Sequence, residues 1–225
     1  MIFSSAFSEM DNYIKQNLHK ITCNEIFEIK KDFYKIVESL SGNTANLTGI
    51  TELLIYRFLY HALGMTKRVN NKTVQNRSKS LSMGKRFTGR NGKTQEPDLV
   101  IEQDGIIEYL FSIKNLLNTT TPTNNEREST LVQELLIKNN GVYTTAFQDI
   151  FRIDNIRHEG NSDFKSITIV FSEIPPRHQK AIELIHKQFE WHQFLILENN
   201  NNSFTVELSD KLKLIDGFKK STKQR

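Results

Sequence analysis

The chain has 225 residues, 37% of them hydrophobic and 25% charged, which is ordinary for a globular domain with one sizeable core. No apolar run approaches the roughly 20 residues of a membrane helix, and the first residues lack the basic stretch of a signal peptide. The single cysteine, Cys23, excludes an internal disulfide and a cysteine-rich zinc site. We therefore expect one cytoplasmic domain over residues 1–225, with no membrane association.

The first 64 residues predict a helical N-terminal part. Apolar side chains recur every three or four positions, as at Phe7, Met10, Ile14 and Leu18. This spacing places them on one face of a helix. The same period continues through residues 26–40 and 53–59, so we expect three helices in this part of the chain.

Residues 66–95 form a basic segment that we expect to contact DNA. Nine of the 30 lysines and arginines lie there, and none of the 26 acidic residues does. Such a concentration is typical of a surface that binds a phosphate backbone, although a solvated, disordered loop has the same composition. Three glycines in its second half indicate a flexible loop. The residues expected to contact DNA are Lys85, Arg86, Arg90 and Lys93.

Residues 96–215 predict an α/β core. Strand patterns cover residues 97–102, 106–114, 166–171, 194–197 and 204–206, and helical patterns cover 126–138 and 178–189. Asp104-Gly105 between the first two strands is typical of a two-residue hairpin turn. We expect a mixed central sheet flanked by helices.

An aspartate and a lysine lie at the open end of this predicted hairpin. Asp98 begins its first strand and Lys114 ends its second, and pairing across the turn can bring them to one face. Phosphodiester hydrolysis uses such a pair. A carboxylate holds Mg²⁺, which lowers the pKa of a bound water, and a lysine stabilises the developing negative charge. The alternative is structural: a turn aspartate and a lysine that ends an exposed strand.

The arrangement resembles the PD-(D/E)xK nucleases. Pro97-Asp98, a short gap and Ile113-Lys114 at the end of the next strand are similar to that family's motif, and the resemblance covers residues 49–140. The family includes type II restriction endonucleases, Holliday-junction resolvases and transposon end-cleaving subunits. The resemblance implies a restriction-endonuclease-like fold and magnesium-dependent cleavage of DNA.

One position departs from the family pattern, because Ser112 stands where an acidic residue usually precedes the lysine. In one branch of the type II restriction enzymes this residue is serine, and a glutamate on the following helix takes its role. That branch implies Glu128 as the second metal ligand beside Asp98, although its gap between aspartate and lysine is normally longer. The predicted helix 126–138 places Glu128 on the face of Leu131 and Leu135.

Glu52 in the third predicted helix is a second candidate for that carboxylate, because the family often has a glutamate on the helix before the hairpin. Both Glu52 and Glu128 have a structural alternative as acidic residues in the first turn of a helix. We expect Ser112 to lie beside the site, either as a small neighbour or acting through a water molecule.

These patterns together predict a type II restriction endonuclease that cuts double-stranded DNA at a short specific sequence. Its predicted active-site residues are Asp98, Lys114, Glu52 and Ser112. One site cuts one strand, so duplex cleavage requires a homodimer or two successive nicks, and a restriction enzyme would imply a cognate methyltransferase. The alternatives are a structure-specific or transposition nuclease, and a non-catalytic nucleic-acid-binding protein that has lost the acidic residue at position 112.

Overall fold

A seven-stranded mixed sheet forms the centre of the protein. The computed structural model describes residues 2–41, 48–157 and 162–212. In that part of the chain the helices are α1 Ile2–Asn17, α2 Cys23–Ser41, α3 Thr48–Ala62, α4 Asn124–Arg127, α5 Thr130–Lys138, α6 Thr145–Ile156, α7 Pro176–Gln188 and α8 Phe204–Leu212. The strands are β1 Lys67–Arg68, β2 Thr73–Asn76, β3 Lys79–Met83, β4 Phe87–Thr88, β5 Thr94–Gln95, β6 Leu99–Gln103, β7 Ile106–Lys114, β8 Lys165–Val170 and β9 His192–Ile196.

The sheet has the strand order β1-β2-β3-β6-β7-β8-β9, while β4 and β5 form a separate two-stranded sheet. Strands β1 to β7 of the main sheet pair antiparallel, and β7, β8 and β9 pair parallel. Helices α1, α2, α3 and α8 share an apolar core with one face of the sheet. Helices α5, α6 and α7 pack on the other face. The predicted mixed α/β architecture is therefore confirmed.

A β-bulge in the β6–β7 hairpin determines which face its side chains occupy. At the turn, Asp104 and Gly105 have φ angles of 52° and 81°, as a type I′ turn requires. The register then shifts, because Glu102 pairs with Ile107 while Ile101 pairs with Tyr109, leaving Glu108 as the extra residue. Beyond the bulge Leu99 pairs with Phe111. Asp98 therefore lies on the face of Ser112 and Lys114, and without the extra residue it would lie on the opposite one.

The basic segment is more ordered than the sequence indicates. Residues 67–83 form three strands of the main sheet, and β4 and β5 form a short hairpin around Gly89 and Gly92. These strands were not predicted, because their residues are mostly polar and show little alternation of apolar and polar side chains. Pairing of β3 with β6 stabilises them instead.

Three other expectations for the core were wrong or incomplete. The pattern at 204–206 belongs to helix α8, in which Phe204, Leu208 and Leu212 are buried at a spacing of four; three residues are too few to reveal that period. The predicted helix 126–138 is two helices, interrupted between Arg127 and Thr130. Helix α6 was not predicted.

None of the described helices is long and apolar enough to cross a membrane. The predicted end of the core at residue 215 lies outside the described residues.

Candidate active site

Five side chains, from the start of β6, from β7 and from α6, meet at one end of the sheet. Asp98 directly precedes β6, Ser112 and Lys114 lie near the end of β7, and α6 contributes Asp149 and Arg152. Parallel pairing aligns Ser112 with Thr168 of β8, so polar residues follow one another across neighbouring strands. Buried apolar residues of the sheet and of α6 lie behind this row.

Asp98 is a partly buried carboxylate that makes no ion pair among the described residues. Its Oδ2 accepts hydrogen bonds from the backbone N–H of Ile113 at 2.5 Å and from the hydroxyl of Ser112 at 3.4 Å. Burial raises the pKa of Asp98 and the neighbouring Asp149 raises it further, while Arg152, the Ile113 N–H and Lys114 act in the opposite direction. The ionised form is thus costly in the absence of a further positive charge.

Glu52 of α3 faces the same cavity as Asp98. Both line a cavity of about 430 Å³ together with Lys72, Gly84 and Glu96. Burial raises the pKa of Glu52, and the charge of Asp98 adds to this effect, while Lys114 and Arg152 lower it. The structure therefore brings together the predicted site residues Asp98 and Glu52, from opposite sides of the hairpin's open end.

Lys114 is paired with a residue that the sequence analysis did not identify. Its Nζ lies 3.1 Å from Oδ1 of Asp149, whose side chain is 2% exposed. The charge of Lys114 nevertheless lowers the pKa of both Asp98 and Glu52. The lysine is thus close to the two carboxylates, but its ion pair is with α6.

Arg152 is a second cation at the site. Its Nη2 donates to Asp149 Oδ1 and to Ser112 Oγ, both at 2.9 Å, and its Nη1 donates to the carbonyl of Glu96 at 3.3 Å. The buried Ser112 thus accepts from Arg152 and donates to Asp98. A sequence signal for α6 did exist, since Asp149 interrupts an apolar stripe that includes Phe147 and Ile150.

Glu128 does not join this site. It is exposed at the end of α4 and lines a different cavity, of about 610 Å³, with Arg90, Lys93 and Asp154. The buried glutamate of this region is Glu126, which forms a capping box with Thr123. The predicted orientation of Glu128 was wrong because the chain leaves the helix at that residue.

Three of the four residues predicted to contact DNA have partners within the protein. Lys85 lies 2.6 Å from both carboxylate oxygens of the buried Glu102, and Arg86 Nε donates to Glu96 at 2.8 Å. Arg90 donates to the carbonyl of Arg157. Lys93 is exposed and makes no ion pair within the described ranges. Its ammonium therefore needs to leave no ionic partner among the described residues in order to contact a phosphate.

The residues at this end of the sheet fit a hard divalent cation. Magnesium is commonly held by one or two carboxylates and keeps several waters, and Asp98 and Glu52 supply two carboxylates at one cavity. Burial raises both pKa values, and a neighbouring carboxylate adds to the effect, Asp149 for Asp98 and Asp98 for Glu52. A bound cation would offset both effects. In the described part of the chain no three His, Cys, Asp or Glu side chains are grouped as a complete metal cage. Water would have to complete the coordination.

Comparisons of the chain with protein-family models, with curated proteins and with solved structures found no match.

Proposed function

We propose that the protein is a magnesium-dependent endonuclease that hydrolyses phosphodiester bonds of double-stranded DNA. The observation that carries the proposal is the pair Asp98 and Glu52, two partly buried carboxylates that line one cavity and make no ion pair among the described residues. Lys114 lies on the same face of the hairpin as Asp98. Three carboxylates, of Glu52, Glu96 and Asp98, line this cavity together with one cation, Lys72. Such an excess of negative charge favours the binding of a cation.

Asp98 and Glu52 would hold Mg²⁺, which when bound supplies Lewis-acid stabilisation of the phosphate and lowers the pKa of a bound water. Lys114 orients the attacking water by hydrogen bonding and stabilises the negative charge that develops on the phosphate. Ser112 keeps the Asp98 carboxylate oriented through its hydroxyl. The apolar residues behind the site limit access of bulk water, which strengthens these electrostatic contacts.

The finer assignment is also a proposal: a restriction-endonuclease-like fold and sequence-specific cleavage of a duplex by a homodimer, with a methyltransferase protecting the host DNA. It is supported by the position of Asp98 and Lys114 on adjacent antiparallel strands of a mixed sheet that has helices on both faces.

The test is incubation of the purified protein with unmethylated phage-sized DNA in Mg²⁺ or EDTA, beside the isosteric variant Asp98→Asn. The matched control is Asp104→Asn, which makes the same chemical change at the opposite end of the same hairpin. Asparagine tolerates the positive φ of residue 104. We expect discrete fragments from the wild-type and control proteins in Mg²⁺, and intact DNA in EDTA and with Asp98→Asn.

The other outcomes separate the competing functions. Cleavage only at branched or end structures would support a structure-specific or transposition nuclease. DNA that stays intact in Mg²⁺ but is retarded on a gel would refute catalysis and support the nucleic-acid-binding alternative. The observation that favours this alternative is Ser112, which stands where an acidic residue usually precedes the lysine.

A further inference from the structure

The buried carboxylate of Asp149 is connected to both proposed catalytic groups. Its Oδ1 contacts Lys114 Nζ at 3.1 Å and Arg152 Nη2 at 2.9 Å. The same Nη2 lies 2.9 Å from Ser112 Oγ, whose hydroxyl donates to Asp98 Oδ2 at 3.4 Å. One carboxylate of α6 therefore contacts the lysine directly and reaches Asp98 through two side chains.

The second oxygen of Asp149 is held by a buried network with a defined direction. Thr168 donates its hydroxyl proton to Asp149 Oδ2 at 3.4 Å, so at His192 Nε2, 3.2 Å away, it can only accept. His192 must then carry its proton on Nε2 and accept at Nδ1 from the hydroxyl of Ser166, 2.7 Å away. Burial lowers the pKa of His192 to about 3, so the ring is neutral near pH 7. The network thus orients Asp149 without adding a charge.

The charges around Asp149 do not cancel. One carboxylate contacts two cations, Lys114 and Arg152, so the group keeps a net positive charge. Both cations also act on the two proposed metal ligands, since each lowers the pKa of Asp98 and of Glu52.

We propose that Asp149 is a positioning residue, which holds Lys114 where it can act on the attacking water and holds Asp98 through Arg152 and Ser112. The inference rests on the proposed nuclease function. It also explains how position 112 can be a serine. The carboxylate next to Lys114 is supplied by Asp149 of α6, so an acidic residue on β7 is not needed for this contact. Catalytic lysines must be held to within fractions of an ångström, and a displacement of about 1 Å can cost a hundredfold in rate.

The first test needs neither metal nor DNA. The ammonium of Lys114 should give a hydrogen-bonded NMR signal in the metal-free wild-type protein, assigned by its loss in Lys114→Met. In Asp149→Asn we expect that signal to disappear through rapid exchange with water. The matched control is Asp32→Asn, which removes an exposed aspartate that contacts Lys35 at 3.0 Å. The Lys114 signal should survive this change.

The second test separates cleavage from binding. We expect Asp149→Asn to lower the single-turnover cleavage rate in Mg²⁺ by about a hundredfold. Its affinity for DNA, measured with Ca²⁺ in place of Mg²⁺, should change by less than about twofold, because Asp149 is buried away from the phosphates. A folded variant with a wild-type rate or an unchanged Lys114 signal overturns the inference.

A third variant covers the case in which Asp149→Asn does not fold. Thr168→Val removes the contact to Oδ2 but leaves both ion pairs of Asp149 in place, and we expect faster exchange at Lys114 and a rate lowered by about fivefold. Unchanged values here overturn the inference as well. Absence of cleavage by the wild-type protein would instead refute the proposed function, whereas cleavage that is insensitive to Asp149 refutes only this inference.

Discussion

The two ends of the β6–β7 hairpin carry the same kinds of charged residue in different balance. Towards the turn, Lys85 pairs with Glu102 and Lys79 pairs with Glu108, one cation to one carboxylate. At the open end, Asp98 and Glu52 make no ion pair among the described residues, and the pKa of each is raised. Carboxylates that are each paired with one cation stabilise the fold, whereas a cavity with unpaired carboxylates favours the binding of a cation. Under the proposed function, the turn end is the structural end of the hairpin and the open end is the functional one.

The largest expected effect comes from replacing the lysine of the open end, compared with replacing a lysine near the turn. Lys114→Met should lower the single-turnover cleavage rate by about a hundredfold to a thousandfold, because it removes the charge next to the reacting phosphate. Lys79→Met is the matched control, since the two side chains are 25% and 27% exposed and each is ion-paired. Equal cleavage rates in the two variants would contradict a catalytic role for Lys114.

The next effect concerns stability at the structural end. Lys85→Ala leaves the buried Glu102 carboxylate without its closest partner, so the free energy of unfolding should fall by about 2 kcal/mol. Urea denaturation would measure this loss. A variant as stable as the wild type would contradict this structural role and leave the predicted contact of Lys85 with DNA as the alternative.

Removal of the metal should affect only the functional end, with a defined pH dependence. The pKa values of Asp98 and Glu52 are raised from 3.8 and 4.5 on folding. The metal-free protein therefore loses stability as the pH rises from these ordinary values through the raised ones, and is constant above them. Under the proposed function magnesium binds the ionised carboxylates, so its stabilising effect should be absent at low pH and should appear through the same range.

At about ten times its dissociation constant, magnesium should add about 1.4 kcal/mol at neutral pH. Thermal denaturation in Mg²⁺ and in EDTA would measure the increment. Asp98→Asn should abolish it and should raise the melting temperature in EDTA, because it removes a buried charge. A variant that is less stable in EDTA and still responds to Mg²⁺ would show that Asp98 is structural.

The smallest effect is expected outside the hairpin. Lys93→Ala should weaken binding to all DNA sequences alike and lower the slope of log affinity against log salt by about 1, as the loss of one phosphate contact requires. Fluorescence anisotropy at several salt concentrations, with Ca²⁺ present, would measure the slope. An unchanged slope would indicate that this hairpin does not contact the phosphate backbone.

The sequence by itself determined the parts of the protein that depend on local spacing. The turn at Asp104-Gly105, the strand ends at Asp98 and Lys114 and the N-terminal helices follow from backbone preferences and apolar periods. Asp98 and Glu52 were both predicted site residues, and the structure places them at one cavity. Residue type and spacing carry such information because they act over a few neighbours.

Only the tertiary structure decided how these parts meet. The bulge at Glu108 puts Asp98 on the face of Lys114, and strict alternation along the strands does not reveal it. The partner of Lys114 comes from α6, 35 positions further along the chain, and Glu128 is directed elsewhere by a break in its helix. Register shifts and long-range ion pairs depend on packing between distant segments. Local sequence patterns therefore named the catalytic candidates but not the network that orients them.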